Sequence, residues 1–219
     1  MAEKNLEIGI IGLGKFGMQM ALTLVELGHT VIGVDSAEAR VQLAQEELDT
    51  VYKADASNLP VLKSLRFQDL DCVVVSVGQS MEQSLSITLN LQELGVPKIW
   101  VKASNQEHRK ILRRLGVHHA IVPEHDAATM AAHQLSNPGM LDLIPKYGGI
   151  LVQELTVGQW ADKSLMDLNL MSRCEVMVIG IRPAGSREYT FVPPARTVLR
   201  RGDVLIVVGR QANVRNLEP

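Results

Sequence analysis

The stretch IGIIGLGKFG, residues 8–17, constrains this chain more than any other. Gly12, Gly14 and Gly17 form G-x-G-x-x-G directly after a short β-branched run. Between this run and the next, Phe16, Met20, Leu24 and Leu27 recur at helical spacing, and Gly28 follows as a stop signal. A strand that turns this tightly into a helix opens a βαβ unit. The first glycine permits the turn, the second lets backbone approach a pyrophosphate, and the third lets helix pack on strand. The phosphates would then face the positive end of the helix. Asp35, in VIGVDS, falls at the end of the second predicted strand, where a carboxylate can bond ribose hydroxyls. It would also repel a 2′-phosphate, so NADP is disfavoured although Arg40 is close in sequence.

The same rhythm continues. Strands are predicted at Glu7–Ile11, Thr30–Val34, Thr50–Tyr52, Cys72–Ser76, Ile99–Val101 and Ala120–Val122. SLSITLNLQELG alternates with period two through Leu85, Ile87, Leu89 and Leu91, which alone favours a strand. Lying between two buried strands, it must supply a right-handed crossover and is predicted as a helix. A helix, EHDAATMAAHQL, follows Pro123, and SNPGMLDLIPKYGG then breaks the rhythm. Beyond it come GILVQELTV, a polar helix ADKSLMDLNL, and strands in VMVIGI, EYTFV and DVLIVVG. The expectation is an α/β chain: a Rossmann-like doubly wound parallel sheet over residues 1–137, a linker over 138–148, and a small α+β C-terminal lobe over 149–219.

Composition narrows the function classes. A net charge of −2 over 219 residues gives no nucleic-acid footprint. In the basic run HRKILRRLG, Ile111, Leu112 and Leu115 read as the packing face of an amphipathic helix. No apolar stretch reaches the roughly 18 residues of a spanning helix, so no membrane insertion and a cytoplasmic location are expected. Cys72 and Cys174 border apolar runs and read as reduced packing residues. In ADAS, Asp55 either accepts from the adenine amine beside Ala56 or, like Ser57, caps a helix. Gly78, at a strand terminus, either meets a ligand or turns sharply. His29, His108, His118, His119, His125 and His133 show no catalytic spacing, and there is no C-x-x-C or G-x-S-x-G. Nothing in the residues asks for chemistry, which raises the question of what a nucleotide would be for.

IIGLGKFG, the strand-end Asp35, ADA, IWVKA, VPEHDAA, KSLMDLNL and RRGDVLIVVG together resemble the KtrA/TrkA family, RCK-domain regulatory subunits of bacterial potassium transporters, over nearly the whole chain. The resemblance implies that the nucleotide, ATP/ADP or NAD(H), is a signal rather than a reactant. By position, Gly12, Gly14 and Gly17 would line the phosphates, with Lys15 and Phe16 also in the nucleotide site, Asp35 would lie at the ribose, Asp55 with Ala56 at the adenine, and Lys102 near ribose or phosphates. Glu124 would help hold Mg²⁺ or another divalent cation, although it also reads as a first-turn acid favoured by the helix dipole. Lys15 stands where relatives commonly have an arginine that reaches ATP bound to a neighbouring subunit, and Ala37 where they often have asparagine. Met171 replaces an arginine found in relatives that bind cyclic di-AMP, leaving dimerisation as the favoured role of the second lobe. Ala127, Ala128, Ala131, Ala132 and Leu135 could pack on a partner helix or within the chain. The implied assembly is a homo-oligomer, an octameric ring of dimers docked on an integral-membrane potassium transporter subunit. The rival readings are a small NAD-dependent oxidoreductase and a soluble redox sensor.

Overall fold

Ile8, Ile10 and Val74 are buried on one face of the central sheet, and Ile11, Val73 and Val75 on the other. Strands that are apolar on both faces need helices on both sides, which is the condition for a parallel sheet. The computed structural model describes residues 5–77, 80–136, 139–144 and 149–219. The chain divides into two compact units, Met1–Asp126 and Ala127–Pro219.

In the first unit strands and helices alternate: β1 (Glu7–Ile11), α1 (Lys15–Glu26), β2 (Thr30–Asp35), α2 (Glu38–Gln45), β3 (Thr50–Lys53), α3 (Leu59–Ser64), β4 (Cys72–Val75), α4 (Met81–Glu93), β5 (Ile99–Lys102), α5 (Gln106–Arg114) and β6 (His119–Ile121). The next helix, α6 (Pro123–Ser136), runs across the division. The sheet is parallel throughout, in the order β3-β2-β1-β4-β5-β6. Strand order reverses between β1 and β4, and the crevice beyond the carboxyl ends at such a point is where ligands bind in this architecture.

The ambiguous segment is a helix, and the structure shows why its letters misled. Ser84, Ile87, Thr88 and Leu91 form the buried face of α4, whereas Leu89 is half exposed. Two hydroxyl residues complete the helical stripe. Thr88 Oγ1 donates to the Ser84 carbonyl at 2.7 Å, so its buried hydroxyl is satisfied within the helix.

The second unit holds β7 (Met140–Ile144), β8 (Ile150–Thr156), α7 (Leu165–Leu168), α8 (Leu170–Cys174), β9 (Val176–Arg182), β10 (Thr190–Phe191), β11 (Val204–Arg210) and α9 (Gln211–Arg215). Its antiparallel sheet runs β10-β9-β11-β8-β7 over a core that includes Leu151, Trp160, Val176, Leu199 and Leu205. Three local expectations differ. Part of the 138–148 stretch is strand β7, because the Gly139 backbone, at φ +84, turns into a short apolar run whose Met140 is buried. The polar helix is broken in two at Asn169, which adopts a left-handed conformation at φ 46. The strand in EYTFV shrinks to Thr190–Phe191, and Val192 beyond it sits at φ 51, outside the extended region. Among the described residues no helix is long and apolar enough to cross a membrane.

Candidate nucleotide-binding site

The glycine turn leaves β1 where its neighbours end. Gly12 donates its N–H to the Val34 carbonyl at 2.7 Å and takes φ +96, a region that L side chains avoid. A Cβ there would stand 2.7 Å from the Ser76 carbonyl oxygen, and one at Gly17 would stand 1.9 Å from that of Gly12. These two glycines are required by the turn and by the seating of α1. Gly14 differs: its φ is −71, open to any residue, and a Cβ on it would meet nothing within 4 Å. Gly14 faces a cleft of about 600 Å³.

Lys15 and Phe16, on the first turn of α1, line that cleft with Gly12 and Gly14, while Gly17 packs behind them. Asp35, Asp55 and Ala56 line it from the ends of β2 and β3, and Lys102 and Glu124 from the end of β5 and the start of α6. Gly78 lies outside the described residues. The remaining sequence-predicted residues therefore converge on one end of the sheet, beside the β1/β4 reversal.

Asp35 is only 5% exposed. Its Oδ2 accepts the Leu13 N–H at 2.7 Å and its Oδ1 the Ala37 N–H at 2.8 Å, so the acid ties the glycine turn to the β2–α2 connection. Arg40, on the first turn of α2, brings Nη1 within 3.3 Å of Oδ2. Asp55 Oδ1 accepts both the Ser57 hydroxyl, at 2.7 Å, and the Ser57 N–H, at 2.9 Å, and these bonds hold its carboxyl below the usual aspartate value. The N-cap of α3 is Asn58, so Asp55 closes a turn just ahead of the helix.

Lys102 and Glu124 meet directly. Lys102 Nζ donates to Glu124 Oε1 at 2.9 Å and lies 5.6 Å from the Phe16 ring centroid. The Lys102 side chain is 17% exposed and that of Glu124 71%. The bond from Lys102 holds the Glu124 carboxyl below its ordinary value. Among the described residues no group of three or more His, Cys, Asp or Glu side chains could hold a metal ion alone. Glu124 can contribute one ligand to Mg²⁺, whose remaining positions would be filled by phosphate oxygens and water.

Sequence reasoning missed Ser80 and Gln83, which line the cleft from a second helix N-terminus. The signal was present as S-x-x-Q, and Ser80 Oγ accepts the Gln83 N–H at 3.1 Å as an N-cap. No described histidine or cysteine lines the cleft. His108 is buried and accepts the Ser104 N–H at 3.2 Å, His118 accepts the Ile99 N–H at 3.2 Å, and His119 stacks on Trp100 with ring centroids 4.4 Å apart.

A doubly wound sheet with a glycine turn and strand-end acid at its switch point, followed by a small antiparallel lobe, defines a two-part protein built on a nucleotide-binding fold. Residues 8–123 match the TrkA-N domain family and residues 152–219 the TrkA-C domain family, and the chain belongs to this KtrA/TrkA family. It is 31% identical over 218 residues to the Ktr system potassium uptake protein A of Bacillus subtilis (strain 168), covering 98% of this chain and 96% of that one. It is likewise 31% identical over 217 residues to the protein of the same name from Vibrio alginolyticus, covering 99% and 98%. Among solved structures, the GsuK channel matches 98% of this chain with a TM-score of 0.63 and 17% identity. This chain spans 39% of that channel's length. The NAD(P)-binding domain of an exopolyphosphatase-related protein from Archaeoglobus fulgidus matches 60% of this chain with a TM-score of 0.54 and 18% identity. At these identities the two structures bear on the fold alone.

Proposed function

We propose that this chain is a cytoplasmic regulatory subunit that binds an adenine nucleotide in the cleft and uses it as a signal to control a membrane potassium transporter. The observation that carries the reading is the convergence of Gly14, Lys15, Asp35, Asp55, Lys102 and Glu124 on one cleft at the β1/β4 reversal. The relatives at 31% identity are potassium uptake proteins matched over nearly their whole length, which supplies the transporter as partner. The described lining supplies cations and helix N-termini for phosphates but no histidine or cysteine to move a proton or form a covalent bond. That favours sensing over the oxidoreductase reading.

Gly14 and the start of α1 cradle the phosphates, Asp35 receives a ribose hydroxyl, and Asp55 with Ala56 meets the adenine. Lys102 would bond a phosphate oxygen, and Glu124 would supply one ligand to Mg²⁺. A cation held there would supply charge neutralisation between phosphate and protein. ATP and ADP differ in the charge they offer at this point, so they stabilise different arrangements of the Lys102–Glu124 pair. NAD(H) places a dinucleotide in the same cleft without a terminal phosphate. Coupling between such a site and a partner is limited by the difference in ligand affinity between the two states, typically about 1–3 kcal/mol per site. Repetition in an octameric ring of dimers multiplies that bias. The exposed Ala127, Ala128, Ala131, Ala132 and Leu135 along α6 offer a face on which copies can pack closely.

The test is potassium flux through a membrane transporter that co-purifies with the chain, reconstituted in proteoliposomes with ATP, ADP, NADH or no nucleotide. Flux that depends on the chain and differs between nucleotides supports the reading. Flux indifferent to the chain, or consumption of NADH with a small-molecule acceptor, overturns it.

A further inference from the structure

Arg40 changes what Asp35 can recognise. The Arg40 side chain is 55% exposed at the rim of the cleft, and its Nη1 lies 3.3 Å from Oδ2 of Asp35, whose own side chain is 3% exposed. The same Oδ2 accepts the Leu13 N–H at 2.7 Å, and Oδ1 accepts the Ala37 N–H at 2.8 Å. An ionised carboxylate offers about four acceptor positions. Three are already engaged. A ribose diol presents two O–H donors, and the second meets a position held by the guanidinium.

A phosphate on that ribose meets a different balance. The Asp35 charge that would repel it is offset by Arg40, whose planar guanidinium carries donors beyond the one aimed at Asp35 and matches phosphate oxygens in pairs. Lys53, the register partner of Asp35 on β3, is committed to Glu38 at 2.8 Å, so Arg40 is the cation placed to take the phosphate. We propose that Arg40 is a specificity-determining residue through which this cleft accepts adenosine carrying a phosphate on its ribose. The discrimination against NADP expected of a strand-end aspartate is therefore largely lost. The inference rests on the reading of the cleft as an adenine-nucleotide site.

The experiment is calorimetric titration of the full chain with NAD⁺ and NADP⁺, with 5′-AMP and adenosine 2′,5′-bisphosphate as the minimal pair. Coenzyme A, phosphorylated at the 3′ oxygen, distinguishes the position of the phosphate. The wild type should bind NADP⁺ within about tenfold of NAD⁺, and Arg40→Ala should lose roughly tenfold or more for NADP⁺ while NAD⁺ affinity holds or improves. Arg40→Lys, which keeps the charge without the fork, should fall between. Because Arg40 is half exposed on a short helix, Arg40→Ala should retain its thermal midpoint, and that is measured alongside. A preference of the wild type for NAD⁺ of about a hundredfold or more, or equal losses for both ligands in Arg40→Ala, overturns the role given to Arg40. Failure of the wild type to bind NAD⁺, ATP or ADP at all overturns the cleft reading itself, and this inference with it.

Discussion

Removing the Asp35 carboxylate should cost stability before any ligand is considered. Asp35→Ala leaves the Leu13 N–H, which now donates at 2.7 Å in a buried setting, without its acceptor. The Ala37 N–H, bonded at 2.8 Å, is partly exposed and can turn to water, and the half-exposed Arg40 rehydrates freely. A buried donor left unmet costs about 1–3 kcal/mol and a replaced, partly exposed bond roughly 0.5–1 kcal/mol. The expected total is about 1.5–4 kcal/mol. For a chain of this size that lowers the midpoint of thermal unfolding by roughly 3–16 °C at about 2–4 °C per kcal/mol. Differential scanning calorimetry of wild type and Asp35→Ala without ligand reads it directly. A shift below about 2 °C would refute the view that Asp35 anchors the glycine turn, since it would mean that the Leu13 N–H is satisfied elsewhere.

Two further outcomes follow from groups outside the glycine turn. Glu124 is exposed and its ion pair with Lys102 lies at the surface end of the cleft, so Glu124→Gln should shift stability by no more than about 0.5 kcal/mol. The same variant should abolish any Mg²⁺ dependence of nucleotide affinity, while a Mg²⁺ effect that survives it would remove Glu124 from the cation site. Burial pushes the His108 imidazole below its ordinary pKa, and its Nδ1 accepts the Ser104 N–H, so the folded chain holds the ring neutral. With the folded value below the unfolded one of about 6.5, the unfolded chain binds more protons between them, and stability falls as pH drops below about 6.5. His108→Asn keeps an acceptor for Ser104 and should remove this component. Urea unfolding at pH 7.5, 6 and 5, compared between the two proteins, checks it, and identical pH slopes would contradict it.

The first unit was legible because its signals are local and redundant. A glycine turn, an acid at the end of β2 and apolar runs closed by Gly or Pro each point to the same parallel sheet. The α4 segment shows the limit of reading by apolar letters, since half of its buried face is Ser84 and Thr88, and the Thr88 hydroxyl is hidden by bonding to the Ser84 carbonyl within the helix. β7 was missed because Pro and Gly flank its short apolar run, and only pairing with β8 gives that run a place. At the candidate site the sequence located the residues but not their partners. Nothing in the spacing of Lys102 and Glu124 announces a contact at 2.9 Å, because the end of β5 and the start of α6 are brought together by the pairing of β5 with β6. Arg40 was noticed only as a neighbour in sequence. Five residues after Asp35, on the first turn of α2, its side chain reaches back to the acid.

Gly14 separates the turn from the ligand. Its φ of −71 and the open space before it mean that Gly14→Val strains no backbone and meets no protein atom at its Cβ, so the fold should be preserved. The new side chain would instead occupy the place where backbone approaches a pyrophosphate. Titration of ATP and ADP into the wild type and Gly14→Val, with thermal unfolding of both, is therefore the most direct measurement. The account predicts binding at one site per chain in the wild type, and in the variant a folded chain whose midpoint falls by no more than the few °C that valine at the α1 N-cap costs, with binding lost. Equal nucleotide binding by the two proteins, or none by the wild type, would contradict it.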